Sequence, residues 1–430
     1  MKKIVIIGNG ISGITAARHI RKRSDNEILV ISSETPEFFS RTALMYVYMG
    51  HLRFQDIRPY ESYFWKKNRI DLRHDCVESI DASTKRLFLK GGKVVSFDVL
   101  IIACGSKYNV PAWPGIDLPG VQGLYSYQDL ELLEKNTHPV GTHSRDRKVK
   151  HAVLAGGGLI GVELAEMLST RNIDVTFLVR EERFWGSVLP KEEGKLIDAH
   201  LHEHGINVKY NTEIASIHPG EEGRVKKIIT KNGTSIECEL VGVTIGVSPN
   251  IAFLENSGIQ TDRGIVVDQF LRTNMEDIYA IGDCAQNSDP LPGRKNIEQV
   301  WYTGRMMGEI VARTITGELS AYVPGPWFNS AKFFDLEYQT YGTVGSELGE
   351  GEAQVYWEHA DRKKAVKMVY DKGSRLFKGI NCIGIRMRHE KFDQWLRAEK
   401  SIDFVLEHLH EANFDPEFFP RFEREIRNLK

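Results

Sequence analysis

Cysteine, charge of one sign and long apolar runs are all scarce in this chain. Its five cysteines, at 76, 104, 238, 284 and 382, share no C-x-x-C spacing. An odd, scattered set suits a reduced, cytoplasmic protein rather than a disulfide framework. Lys+Arg 56 against Asp+Glu 58 leaves a formal net charge of -2, so no basic excess points to nucleic acid and no acidic tail to a charged partner. The longest apolar runs, such as 99–104, are strand-length, far below the roughly 18 residues of a spanning helix. The opening run, Ile4-Val5-Ile6-Ile7, stops at Gly8, too short for the core of a secretion signal. A soluble or at most peripheral protein is expected. What remains is ordinary globular composition, 41% hydrophobic and 27% charged over 430 residues, enough for two or three domains.

Glycine, by contrast, is plentiful and placed. A buried-strand pattern at 4–7 runs into Gly8-Asn9-Gly10-Ile11-Ser12-Gly13 and then a helical stretch. In such a strand–G-x-G-x-x-G–helix unit the first glycine makes the turn. The second lets a pyrophosphate approach the backbone, and the third lets helix and strand pack closely. Helix-start amides then face the phosphates. A second strand at 28–32 ends near Glu34, an acid placed to accept hydrogen bonds from an adenosine ribose. The pattern recurs at 151–155 followed by Gly156-Gly157-Gly158-Leu159-Ile160-Gly161, a helix at 162–169 and a strand at 175–179. Two dinucleotide cradles in one chain imply electron transfer between two cofactors.

With these cradles in view, the chain resembles the two-dinucleotide flavoprotein reductases: rubredoxin and ferredoxin reductases, the flavin part of assimilatory nitrite reductase and, more distantly, glutathione reductase. Further motifs carry the likeness: Asp98-Val99-Leu100-Ile101-Ile102-Ala103-Cys104-Gly105-Ser106, Thr244-Ile245-Gly246-Val247-Ser248-Pro249-Asn250, Thr273, and Ile278-Tyr279-Ala280-Ile281-Gly282-Asp283. They span roughly residues 1–345; the remainder matches loosely. The resemblance implies an α/β fold of two interleaved Rossmann-like domains plus a smaller C-terminal α+β domain. An FAD domain is expected from 1–120 and 250–325, an NAD(P)H domain at 121–249, and an interface-type domain at 326–430.

The resemblance also implies site roles. Ala103 and Gly105 would lie in the turn linking the two domains, Val77 would meet adenine through its backbone, and Asp283 would take a ribityl hydroxyl beside Gly282. Gly246 would approach the nicotinamide, and Glu298 and Trp301 would stand beside the flavin, although Trp301 equally reads as core. Glu163, two residues after Gly161, matches a family glutamate near both cofactors; it also reads as a first-turn acid offsetting the helix dipole. No residue is expected to be catalytic beyond the cofactors, because hydride transfer asks the protein for geometry and a dry pocket.

Departures matter as much. Disulfide reductases of this group carry a cysteine pair, and related coenzyme A reductases a single cysteine, shortly after the ribose acid. Here that stretch is Phe38-Phe39-Ser40-Arg41-Thr42-Ala43-Leu44-Met45-Tyr46, with no thiol for relay chemistry. Arg41 reads either as a partner of the FAD phosphates or as an exposed loop residue. Oxygenase-type ferredoxin reductases place a lysine where Tyr46 stands. Cys104 and Cys284 read as small packing residues. His200, His202 and His204 read as a solvated helix face, only the first and last sharing a side, and no metal is expected. Arg180-Glu181-Glu182-Arg183 after the second strand offers both signs, Glu181 favouring a free 2′-hydroxyl and arginine a 2′-phosphate; NADH is slightly favoured.

The expected activity is transfer of electrons from NAD(P)H through FAD to a small redox protein such as a ferredoxin or rubredoxin. Two rivals stay open, a peripheral NADH:quinone reductase and an NADH-responsive flavoprotein resembling apoptosis-inducing factor. A homodimer through the C-terminal domain is the expected assembly. Phe414, Phe418, Phe419 and Phe422 are expected to pack on the parent domain.

Overall fold

The computed structural model describes every residue except 139–148, 292, 415–416, 418–419 and 430; Phe418 and Phe419 therefore lie outside the described residues. The chain forms two compact units by its contacts: Met1–Asn109 with Tyr125–Lys135 and Val247–Pro324, and Val110–Leu124 with Asn136–Gly246 and Gly325–Lys430.

The first unit is built on a five-stranded parallel sheet in the order Ile278–Ala280, Val99–Ile102, Lys3–Ile7, Glu27–Ser32, Ile70–His74. Its central strands carry isoleucine and valine on both faces, and Ile4, Val5, Ile6, Leu100, Ile101 and Ile102 are fully buried. That is the pattern of a sheet covered on both sides. The helix Ile11–Arg23 follows the first strand and ends on Arg21, Lys22 and Arg23, cations that suit the negative end of its dipole. Against it runs the helix Trp301–Ile315. The two backbones approach closely because Gly304 and Gly308 carry no side chain. A Cβ on Gly304 would lie 2.5 Å from Ser12 Oγ, and one on Gly308 would lie 2.6 Å from the Ser12 carbonyl.

The second unit repeats the parallel arrangement in the order Asn207–Lys209, Asp174–Leu178, His151–Ala155, Leu240–Val243, Val121–Gln122. A three-stranded antiparallel sheet, Ile214–Pro219, Val225–Thr230 and Ser235–Glu237, sits beside it. The C-terminal part is a five-stranded antiparallel sheet ordered Phe328–Phe333, Leu336–Gly342, Phe377–Ile383, Ala365–Asp371, Glu352–Glu358. The helices His389–Arg397 and Ile402–His408 bury Phe392, Trp395, Ile402, Val405 and Leu406 in a core shared with that sheet, and Phe422 packs against it. Polar contacts join this sheet to the parallel part of the unit: Lys332 Nζ donates to Glu166 at 2.8 Å and Asn381 Nδ2 to Glu193 at 2.8 Å. Among the described residues no helix is long and apolar enough to cross a membrane.

Candidate functional site: two glycine cradles

In the first unit the loop between strand and helix is held by its neighbours. Gly8 donates its N–H to the Ile31 carbonyl at 2.8 Å and adopts φ 107°, a conformation that favours glycine. A Cβ there would lie 2.1 Å from the Ala103 carbonyl, and one on Gly13 would lie 2.1 Å from the Gly8 carbonyl. A Cβ on Gly10 would meet nothing within 4 Å. Thus Gly8 and Gly13 are glycine because of the protein, and Gly10 faces open space, where only something outside the protein could need a bare backbone. Ile11 and Ser12 open the helix; Ser12 is buried, and its Oγ would lie 2.3 Å from a Cβ on Gly282.

Glu34 and Arg41 are brought together. Arg41 Nη1 and Nη2 donate to the two oxygens of Glu34 at 2.8 and 2.5 Å, and Nη1 also donates to the Tyr125 carbonyl at 2.7 Å. Burial opposes the guanidinium charge, but the hydrogen bond and ion pair with Glu34 outweigh it and raise the Arg41 pKa. The arginine therefore orients the carboxylate at the end of the second strand, and Tyr127 N–H donates to that carboxylate too, at 2.9 Å.

Asp283 follows Gly282, which adopts φ 74°. Burial raises the Asp283 carboxyl above its ordinary value, while hydrogen bonds from Tyr125 and Ser106 oppose this. Tyr125 Oη donates to Asp283 at 3.1 Å and accepts from the Ser106 N–H at 3.0 Å. It also lies 3.4 Å from a Cβ placed on Gly105. Sequence reading missed Tyr125, because an isolated tyrosine in a loop carries no spacing signal. It missed Gln299 for the same reason; that side chain donates to Ser106 Oγ at 2.8 Å. Ala103 is buried, and Val77 packs half-buried against the core. Glu298 is buried and ion-paired with Arg294, whose Nη2 donates to it at 2.6 Å. Cys284 is buried, its thiol against the carbonyls of Ile281 and Ile102, and all five cysteines are unpaired.

The second cradle repeats the first. Gly156 donates to the Leu178 carbonyl at 3.0 Å and has φ 107°. A Cβ on it would lie 2.5 Å from the Thr244 carbonyl, and one on Gly161 would lie 2.8 Å from the Gly156 carbonyl. A Cβ on Gly158, the counterpart of Gly10, again meets nothing within 4 Å.

The family model for pyridine nucleotide-disulphide oxidoreductases matches residues 2–308, a range that contains both cradles. The chain belongs to this family. It is an FAD-dependent NAD(P)H oxidoreductase with two Rossmann-type nucleotide folds. Rhodocoxin reductase of Rhodococcus erythropolis is 30% identical over 340 residues, covering 77% of this chain and 76% of that protein. An assimilatory nitrate reductase electron transfer subunit of Bacillus subtilis is 24% identical over 374 residues, 86% of this chain; the chain spans 46% of that subunit. Among solved structures, a ferredoxin reductase from Rhodopseudomonas palustris superposes with TM-score 0.79 at 25% identity, covering 89% of this chain and 91% of that one. A NAD-dependent persulfide reductase from A. fulgidus gives 0.86 at 26% identity, with 99% and 82% covered.

Around the second cradle the charged residues differ from those of the first. Val179, at the end of the second strand, is fully buried. Glu181 is half-buried and paired with the exposed Arg180 at 3.1 Å. Arg183 turns away, donating to Glu347 at 2.7 Å and the Gly186 carbonyl at 3.1 Å. Burial, with a smaller contribution from Glu166, pushes the Glu163 carboxyl up to about 7, against the opposing pull of Lys332. Gly246 adopts φ 93°, and the Thr244 hydroxyl donates to the Ala155 carbonyl at 2.8 Å.

Proposed function

We propose that this chain oxidises NAD(P)H, with NADH preferred, and delivers the electrons one at a time to a small redox protein of the ferredoxin or rubredoxin class. The observation that carries this reading is the pair of cradles, each with a middle glycine whose missing side chain answers to no protein atom. The residues present fit a dinucleotide in each. When bound, FAD supplies the chemistry of accepting a hydride and releasing single electrons.

The protein's part is to hold and orient. Loop amides and the positive end of the helix Ile11–Arg23 would hold the FAD pyrophosphate, and Glu34, fixed by Arg41, would take the adenosine ribose. Asp283, steadied by Tyr125, would take a ribityl hydroxyl. Gly156, Gly158 and Gly161 would play the same part for NAD(P)H. For the NADH preference, both arginines beside the second strand are engaged, Arg180 with Glu181 and Arg183 with Glu347. Glu181 is the acid available to a 2′-hydroxyl.

The acceptor reading draws on relatives named as reductases of ferredoxin-type carriers and as an electron transfer subunit. A persulfide reductase is also similar. Thiol relay needs a thiolate beside the cofactor, and the segment Phe38-Phe39-Ser40-Arg41-Thr42-Ala43-Leu44-Met45-Tyr46 supplies none.

The test is anaerobic stopped-flow absorbance with NADH and NADPH in parallel, followed by ferredoxin, rubredoxin, a soluble quinone and a coenzyme A persulfide. Fast bleaching by NADH and fast reoxidation by a protein carrier is the expected result. Fast reoxidation by the quinone or persulfide alone would replace the acceptor. Slow reoxidation by every acceptor would move the assignment to an NADH-responsive binding protein.

A further inference from the structure

His200 and His204 lie four residues apart at the end of the helix Lys191–Glu203, on one face of it. The solvated face expected from sequence holds for His202, whose side chain is 54% exposed, but not for His200, at 3%. Opposite them is Asp335, in the turn between the strands Phe328–Phe333 and Leu336–Gly342. Its Oδ1 lies 2.9 Å from His200 Nε2 and 3.2 Å from His204 Nε2. One ligand atom from each of the three residues falls within 4.8 Å of the others.

The contacts are short without making good hydrogen bonds. Neither ring nitrogen of the buried His200 has a hydrogen-bond partner, which is costly for a polar group out of water. His204 Nδ1 faces the His200 carbonyl at 3.0 Å, so that nitrogen carries the proton in the neutral ring. In that form Nε2 turns a bare lone pair toward a carboxylate oxygen, lone pair against lone pair. A cation between them removes the conflict. Tetrahedral Zn²⁺, bound at about 2.0–2.1 Å, sets its ligand atoms about 3.3 Å apart, near the observed 2.9 and 3.2 Å. Each lone pair then points at the metal and not along the nitrogen–oxygen line. The site also lies at the helix C-terminus, where the dipole favours positive charge.

We propose that His200, His204 and Asp335 form a binding site for a divalent transition metal, best matched by Zn²⁺, with a solvent ligand completing four-coordination. Two imidazoles and one carboxylate suit zinc and its neighbours and not Mg²⁺ or Ca²⁺. Bound there, the ion would clip the end of the helix to the hairpin of the C-terminal sheet within the second unit. Phe334 supports the site by packing on the His204 ring at 4.4 Å, and the two imidazoles lie 4.5 Å apart.

The experiment treats the full-length holoprotein with a chelator, removes the chelator, and titrates it with Co²⁺ alone, reading absorption to the red of the flavin band. Zn²⁺ is then added in competition. Expected is one Co²⁺ per chain with the intense spectrum of four-coordination, displaced by one equivalent of Zn²⁺. Affinity should fall at least about 100-fold in Asp335→Asn and His204→Ala and stay unchanged in His202→Ala. Zn²⁺ should also raise the melting temperature of the parent protein and not of Asp335→Asn. Because Asp335 is exposed and Asn keeps its shape, that variant decides the matter if His204→Ala fails to fold. Absence of stoichiometric binding, a weak six-coordinate spectrum, or equal binding by Asp335→Asn would overturn the site.

Discussion

The two cradles share a backbone and differ in what surrounds it. In both, the first glycine has φ 107° and the middle glycine faces open space. At the third glycine they diverge. A methyl on Gly13 would strike the Gly8 carbonyl at 2.1 Å, whereas on Gly161 it would meet the Gly156 carbonyl at 2.8 Å, the edge of Phe177 at 2.9 Å and the Thr244 hydroxyl at 3.0 Å. The first cradle is thus closed by rigid main chain. The second leaves more room, its main chain standing farther off and the Phe177 and Thr244 side chains sharing the contact. The acid that follows tells the same story: Glu34 is locked by the half-buried Arg41 and by the Tyr127 N–H, while Glu181 pairs with an exposed arginine, Arg180. A site for a resident cofactor gains from such fixing. A site whose ligand must come and go each turnover gains from its absence.

The sharpest way to break this comparison is to add one methyl to each side. Gly13→Ala should cost about 3 kcal/mol or more, because main chain must shift, and the purified protein should lose its flavin. Gly161→Ala should keep a full complement of flavin and raise the KM for NADH about ten-fold. Flavin content by absorbance and steady-state kinetics check both. Equal flavin loss in the two variants would show that the third glycines are equally constrained.

A smaller effect is expected from Arg41→Ala. The pair with Glu34 is partly exposed, so solvent screening reduces its worth, but removing Arg41 leaves a half-buried carboxylate with the Tyr127 N–H and no cation. A cost of about 1–2 kcal/mol follows, read as roughly 5- to 30-fold weaker FAD retention in equilibrium dialysis. Glu34→Gln with Arg41→Ala should be less than additive, since the two act as a unit. On the second cradle, Glu181→Ala should lower the NADH over NADPH ratio of kcat/KM by about ten-fold while leaving flavin content untouched.

Much of this was legible in the sequence because it rests on short-range geometry. The strand–glycine–helix spacing of both cradles, the fold class and the second-strand acid each follow from residues close together in the chain. The partners of those residues were not legible. Arg41 reads as a phosphate ligand or a loop residue until the fold places it against Glu34. Tyr125 lies 158 positions before the Asp283 it steadies. Asp335 meets His200 and His204 only when a hairpin of the C-terminal sheet packs on a helix of the parallel part. Each depends on a tertiary approach that no local pattern encodes.

The mildest contrast lies two residues past each third glycine. There the first cradle has Thr15, buried and uncharged, and the second has Glu163. Burial pushes the Glu163 carboxyl up to about 7, above its ordinary value of 4.5. The folded state therefore binds its proton more tightly than the unfolded chain does. No penalty exists below the unfolded value; it develops as pH rises from 4.5 and is complete once pH passes about 7. Glu163→Gln should remove this decline in stability with rising pH, measured as the melting temperature of the two proteins across that window. The same proton bears on function. Below pH 7 Glu163 is neutral, and above it an anion stands in the second turn of the helix Leu159–Thr170, whose start is the proposed place of a phosphate. The KM for NADH should therefore climb a few-fold across pH 7 in the parent protein and stay flat in Glu163→Gln, with flavin content equal in both. Parallel profiles would mean that Glu163 takes no part in the second cradle's chemistry; the reading of it as a first-turn acid offsetting the helix dipole is already excluded, because the helix starts at Leu159 and its first turn holds no acid.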